Sequence, residues 1–359
     1  MNDPRLFGLD HTNSNRDFRK EASWGKNQFN SAFPVALACY MYQQALQPVF
    51  LKLSPQLTVA HSTISVQSLF GAAPLSQDLY FNFESSFSPF QVFVEGSLPG
   101  VDLVTMDNSG WGARPLRALE VKLTALPDNT THKRDESQYG TELVIRPQTI
   151  AYLAIHLILA AQKDSVAIGN ILQPVCRNVS DWADPSEMKS KLGRLIDGLD
   201  AVLLHSIDTQ APMLLQPVWK TQGKSPRLAT QCLDIFAWSA HALTRLFVDA
   251  AKGKVGSHGK VTRQERTVIW VVRMLYDYVQ HGSFDYDGII DALTLNVKND
   301  KAFSITGTRT HQYMNSPELT QPRISKDSIK EIILGGGQNL LSPERRLDAI
   351  ISNSPGLFD

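Results

Sequence analysis

Three charged residues sit where an apolar hairpin would not be expected to carry them: Asp102, Glu120 and Lys122, within SLPGVDLVTMDNSGWGARPLRALEVKLTAL (Ser97–Leu126). Two carboxylates converging on one point form a hard-oxygen pocket. Mg2+ takes such a pocket as one or two carboxylates, completed by water and phosphate oxygens. An ammonium beside them could orient or help deprotonate a water and stabilise charge on a phosphate. Asp, a run of residues, then Glu-x-Lys is therefore a constellation suited to cutting a phosphodiester. The plainer alternative is a strand with one solvent face, which carries charges without chemistry.

The element that must position them is a β-hairpin. Residues two apart in a strand share a face, so Glu120 and Lys122 point one way while Leu119, Val121 and Leu123 pack the other. Asp102 follows the turn residues Pro99-Gly100, and an antiparallel partner strand brings its carboxylate beside Glu120. The stretch TIAYLAIHLILAA (Thr149–Ala161) follows as a helix that covers the sheet, with Pro147 in its first turn.

Around the hairpin, the first half reads as a mixed sheet. PVFLKL, LTVAHSTISV, LYFNFE and FQVFVEG are rich in β-branched and aromatic residues and are expected to be strands. A helix is expected from about Pro34. The second half reads as mainly helical: DPSEMKSKLGRLIDGLDAVLLHSI with Asp184 as N-cap and Pro185 in the first turn, then ATQCLDIFAWSAHALTRLFVDAAK and RQERTVIWVVRMLYDYVQ. LTLNVKNDKAFSI reads as a strand pair and SPERRLDAIISNS as a final capped helix. The expected class is α/β, a mixed sheet flanked by helices with a mainly helical C-terminal half. The chain divides into a nuclease core over residues 1–165 and a helical recognition and dimerisation region over 166–359, or forms one compact domain.

Composition narrows the function. The chain has 359 residues, 43% of them hydrophobic, enough for one large core. Lys+Arg and Asp+Glu are both 35, so no net basic charge marks a DNA-coating protein, and that balance is compatible with a basic cleft on an otherwise acidic surface. Cys39, Cys176 and Cys232 are widely spaced with no zinc pattern, and are expected to be reduced buried thiols of a cytosolic protein. The polar N-terminus lacks the apolar core of a signal peptide, and the most apolar helix is too short to span a bilayer. His156, His205 and His241 have apolar neighbours and read as residues in or near the core. No HExxH, G-x-S-x-G or phosphate-binding loop is present, and Gly335–Gly337 reads as a turn.

Pro99-Gly100-Val101-Asp102 … Glu120-Val121-Lys122 resembles the signature of the PD-(D/E)XK nuclease superfamily. Gly100 and Val101 separate Pro99 from Asp102 where the short form has Pro-Asp directly. A more specific resemblance lies in LFGLDHTNSNRDFRKEASWGKNQFNSAFPVALACYMY (Leu6–Tyr42), which is similar to the opening of HindVP-type type II restriction endonucleases and extends through the Glu-x-Lys strand. The resemblance implies a cytoplasmic, homodimeric, Mg2+-dependent endonuclease with a restriction-endonuclease-like core. It would cut both strands of double-stranded DNA at a palindrome such as GRCGYC, with a cognate DNA methyltransferase protecting the host. It further implies that Asp102 and Glu120 bind the metal and that Lys122 assists the water. A further acidic residue would be Glu95, ahead of Glu84.

Arg reads guanine and Asn or Gln reads adenine in the major groove. Asn15, Arg16, Lys26, Asn27 and Gln28 near the N-terminus are therefore candidate DNA contacts, as are Arg309 and His311 in SITGTRTHQYMN. The lysines of KGKVGSHGK suit phosphates, and Gln148 could face the site or the DNA backbone. Two rivals stand beside the nuclease: a catalytically silent DNA-binding protein of the same fold, and an unrelated hydrolase using Asp102 and Glu120 as an acid/base pair.

Overall fold

A computed structural model gives the fold. The structure describes residues 25–127 (without 75, 77, 111 and 123), 143–162, 165–221, 231–252 and 260–295, with 303–305, 313–314, 323–325 and 328. In chain order come α1 (Gly25–Gln43), β1 (Val49–Leu53), β2 (Val59–Thr63), α2 (Val66–Phe70) and β3 (Leu79–Ser85). A 3-10 turn (Ser88–Phe93) leads to β4 (Val94–Glu95), β5 (Val101–Asp107), β6 (Arg114–Val121), β7 (Thr124–Pro127) and β8 (Leu143–Ile145). Three helices follow: α3 (Pro147–Ala161), α4 (Ser165–Cys176) and α5 (Pro185–His205). After β9 (Pro212–Thr221) and β10 (Gln231–Ser239) come α6 (Ala240–Lys252), α7 (Arg263–His281), β11 (Phe284–Asp285), α8 (Tyr286–Ala292), β12 (Phe303–Ile305) and β13 (Ile324–Ser325).

The main sheet has the order β2-β1-β10-β9-β6-β5-β3, with β7 continuing beside β9 and β13 beside β10. It is mixed: β5 and β6 form an antiparallel hairpin, β6 runs parallel to β9, and β10 runs parallel to β1. Leu103, Leu119 and Val121 pack with α1 and α2 residues such as Leu37 and Phe70 on one face. Val104, Ala118, Leu214, Phe236 and Trp238 pack under the helices on the other. The period of two thus turns Leu119 and Val121 to one core and Glu120 to the opposite face, as the alternation in the sequence predicts.

Several elements differ from the sequence reading. The first helix begins at Gly25, with Pro34 inside it. FQVFVEG is not a full strand. Pro89 sits at the start of the 3-10 turn, where its missing N–H costs nothing, and only Val94–Glu95 pair, with β11. The expected helix over ATQCLDIFAWSAHALTRLFVDAAK is half strand. Ile235 and Ala237 face one core and Phe236 and Trp238 the other. A strand buried on both faces has no alternation to show and reads like a buried helix. Its Asp234 is wholly buried and held by Arg323, whose Nε donates at 2.7 Å. Phe303–Ile305 pair with β8, and residues 296–302 of that expected strand pair lie outside the described residues. His156 and His241 are buried, but His205, in the last turn of α5, is exposed. Cys39 and Cys176 are buried, and no helix among the described residues is long and apolar enough to cross a membrane. The final capped helix and Gly335–Gly337 lie outside the described residues.

Asp184 caps α5 as its position before Pro185 predicts, accepting from the Ser186 N–H at 2.9 Å and the Glu187 N–H at 3.3 Å. Asp184→Ala is expected to cost about 1 kcal/mol, read as a lower urea midpoint at unchanged slope. An unmoved midpoint would show that the cap contributes nothing.

Candidate active site

The hairpin brings Asp102, Glu120 and Lys122 to one point. Asp102 is the second residue of β5, and Leu103 pairs with Leu119 across the hairpin, so the strand register sets Asp102 beside the end of β6. Its Oδ2 accepts from the Val121 N–H at 2.8 Å and from the Lys122 Nζ at 3.2 Å. The Lys122 ammonium also donates to Glu120 Oε1 and, at 3.3 Å, to the Val121 carbonyl. The Lys122 backbone N–H donates to the Leu215 carbonyl at 2.9 Å, which anchors it against β9. The Glu120 side chain is 8% exposed, whereas that of Asp102 keeps 28%, so one carboxylate is deep and the other meets solvent.

Two residues of α3 complete the arrangement. Thr149 Oγ1 donates to Glu120 Oε1 at 2.9 Å. Tyr152 Oη donates to the Pro99 carbonyl at 2.8 Å and accepts from the Phe87 N–H at 3.0 Å. Sequence reasoning missed both. The available signal was two hydroxyls, three residues apart, near the start of a mostly apolar helix.

The protonation states follow from burial and neighbours. Burial raises the Glu120 pKa to about 7, with the Asp102 charge adding to it and Lys122 opposing. Burial works against the Lys122 ammonium, but the Glu120 and Asp102 carboxylates outweigh it and its pKa is raised. Lys122 is therefore a cation at neutral pH. Because Glu120 holds its proton more tightly in the fold than at its ordinary 4.5, it stabilises the metal-free fold below pH 4.5, and that contribution is lost as pH rises through about 7. The melting temperature of metal-free protein is expected to fall by a few degrees between pH 5 and 8, and Glu120→Gln to flatten that dependence. Identical pH profiles for the two proteins would show that Glu120 titrates normally.

The other sequence candidates are placed differently from one another. Glu95 is exposed and accepts from the Ser283 hydroxyl at 2.9 Å, where β4 pairs with β11; the structure does not bring it to Asp102 and Glu120. Among the described residues, no group of three or more His, Cys, Asp or Glu side chains gathers to hold a metal. Glu84 lies in β3 between Phe83, which pairs with Leu103, and Ser85, which pairs with Val101, and is thus the residue across from Asp102. It is exposed and has a φ of 53°, a left-handed backbone uncommon outside glycine. Gln148 is exposed in the first turn of α3, one residue before Thr149. Lys26, Asn27 and Gln28 fall in the first turn of α1. Asn15, Arg16, Arg309 and His311 lie outside the described residues.

On a mixed sheet flanked by helices, Asp102 and the Glu120-Val121-Lys122 segment thus meet at the end of one hairpin. A family model, HindVP restriction endonuclease, matches residues 24–358, and the chain belongs to that family. It is 45% identical over 361 residues to the type II restriction enzyme HgiDI of Herpetosiphon aurantiacus, covering 100% of this chain and 98% of the relative. It is 41% identical over 357 residues to a probable type II restriction enzyme, HindVP, of Haemophilus influenzae, covering 99% of this chain and 95% of the relative. No solved structure matches.

Proposed function

We propose that the chain is a Mg2+-dependent type II restriction endonuclease with a PD-(D/E)XK core, cutting both strands of double-stranded DNA at the palindrome GRCGYC. The observation that carries this is the meeting of Asp102, Glu120 and Lys122 at the end of one hairpin, in a chain of the HindVP family.

The donor set fits a small hard cation. Asp102 and Glu120 offer two carboxylates directed at one ammonium, and Mg2+ takes that number with water and phosphate oxygens filling its other positions. Asp102 and Glu120 would hold it. Bound there, such an ion would supply a Lewis acid and a water of lowered pKa. Glu120 must release its proton before it can serve as a ligand, and its raised pKa makes that step pH-dependent. Lys122, as a cation, is not a proton acceptor. It orients the attacking water and stabilises the charge gathering on the phosphate oxygens. The water oxygen forms a new bond to phosphorus as the bond to the leaving sugar oxygen breaks; the attacking water gives up its proton to solvent, and the leaving oxygen takes one from solvent.

A palindromic target favours a two-fold dimer. Asn15, Arg16, Lys26, Asn27, Gln28, Arg309 and His311 are the proposed DNA contacts, and a methyltransferase recognising the same site, in the same cytoplasm, is the proposed functional partner.

The test is a digest of unmethylated plasmid DNA by purified protein, with Mg2+ and then with EDTA. Discrete fragments only with Mg2+ are expected, with ends mapping to GRCGYC. A smear would retain the nuclease and discard the specificity. Intact DNA under every divalent metal, with DNA binding retained, would establish the silent DNA-binding protein instead.

A further inference from the structure

We propose that Thr149 and Tyr152 are positioning residues, and that α3 is a brace setting the separation of the two carboxylates by holding Glu120 directly and Asp102 through the Pro99 carbonyl. This rests on the reading of Asp102 and Glu120 as cation ligands.

Positions three apart on a helix lie on one face, so Thr149 and Tyr152 present their hydroxyls to the hairpin together. Thr149 is 1% exposed, and its Oγ1 donates to Glu120 Oε1 at 2.9 Å. That oxygen also receives the Lys122 ammonium, so Glu120 is fixed from the helix and from its own strand. Tyr152 works on the backbone. Its hydroxyl accepts from the Phe87 N–H at 3.0 Å and donates to the Pro99 carbonyl at 2.8 Å. One oxygen thereby closes the segment that leaves β3 and returns to β5. Ser86 adds a second tie across it, its hydroxyl donating to the Leu98 carbonyl at 2.9 Å. Pro99 is three residues before Asp102, so where Tyr152 holds that carbonyl, the start of β5 is held too. Burial pushes the Tyr152 hydroxyl up to about 12, which keeps it the donor that this bond to Pro99 needs.

The two contacts act on different carboxylates from one rigid helix. A cation needs both at a fixed spacing, and partners behind metal ligands typically govern affinity by about 10- to 100-fold when removed. Packing alone would not require either hydroxyl. The Tyr152 ring already lies against Phe90 at 5.7 Å between centroids, a contact that a phenylalanine keeps.

The test titrates Mn2+ into the full-length protein without DNA, following free Mn2+ by electron paramagnetic resonance. Thr149→Val, Thr149→Ser and Tyr152→Phe are compared with the native chain and with Asp102→Ala. Thr149→Val and Tyr152→Phe are expected to raise the Mn2+ dissociation constant about 10-fold. Thr149→Ser, which keeps the hydroxyl, is expected to restore it. DNA binding in EDTA is expected to be unchanged, and kcat for cleavage to fall without a matching rise in KM. Native Mn2+ affinity in both variants would overturn the brace while leaving the nuclease reading intact. So would a loss of DNA binding in EDTA that parallels the loss of Mn2+. Full cleavage by Asp102→Ala would instead remove the metal-site reading and the brace with it. If Tyr152→Phe does not fold, the Thr149→Val and Thr149→Ser pair decides the matter.

Discussion

Asp102→Asn is expected to slow DNA cleavage by about 10³-fold while leaving DNA binding in EDTA at the native level. The substitution keeps the size of the side chain and an oxygen to accept from the Val121 N–H, which Asp102 Oδ2 receives at 2.8 Å. The hairpin therefore has no reason to open. What is lost is the negative charge that faces Lys122 at 3.2 Å and that would ligate a divalent cation. Removing one preorganised charge from a transition state of phosphoryl transfer typically costs about 4 kcal/mol, close to 10³ in rate. Single-turnover cleavage of a supercoiled plasmid measures it. Asp102→Ala should lose as much activity and some stability besides, because the Val121 N–H then has no acceptor. Cleavage at the native rate by either variant would show that the metal is held elsewhere.

Lys122→Met is expected to lower the single-turnover rate by about 10²- to 10³-fold with little change in the DNA concentration needed for half-maximal rate. Methionine fills the same stem and removes the ammonium. Two carboxylates then face each other without the cation between them. The Lys122 charge holds the Glu120 pKa down against burial and Asp102, so its loss pushes Glu120 above about 7. The acid side of the pH–rate profile should accordingly move to higher pH in this variant. Lys122→Arg is not expected to rescue it. Lys122 gathers Glu120 Oε1, Asp102 Oδ2 and the Val121 carbonyl on one small nitrogen, and a planar guanidinium cannot present its donors to three points in that way. A profile that keeps its acid limb in Lys122→Met would separate Lys122 from Glu120.

Much of this was legible without coordinates, wherever the information is local. Alternation in LEVK places Leu119 and Val121 opposite Glu120, because a strand has a period of two, and the structure keeps that division. Asp184 before Pro185 announces the start of α5, because a short acceptor and a missing N–H are what a first helical turn requires.

The tertiary structure decided what depends on partners distant in the chain. Thr149 stands 29 positions from the carboxylate it holds, and Tyr152 bridges Phe87 and Pro99, 65 and 53 positions away. No periodicity encodes such pairs. The strand β10 was hidden because burial on both faces erases alternation, leaving a run that a helix core could equally carry. Glu95 reads from sequence as the acidic residue leading into Asp102, yet the pairing of β4 with β11 gives its carboxylate to Ser283. The raised pKa of Glu120 belongs to neither residue type nor spacing. It arises from the water that folding removes around it, and only the packed sheet and helix determine how much of that water is gone.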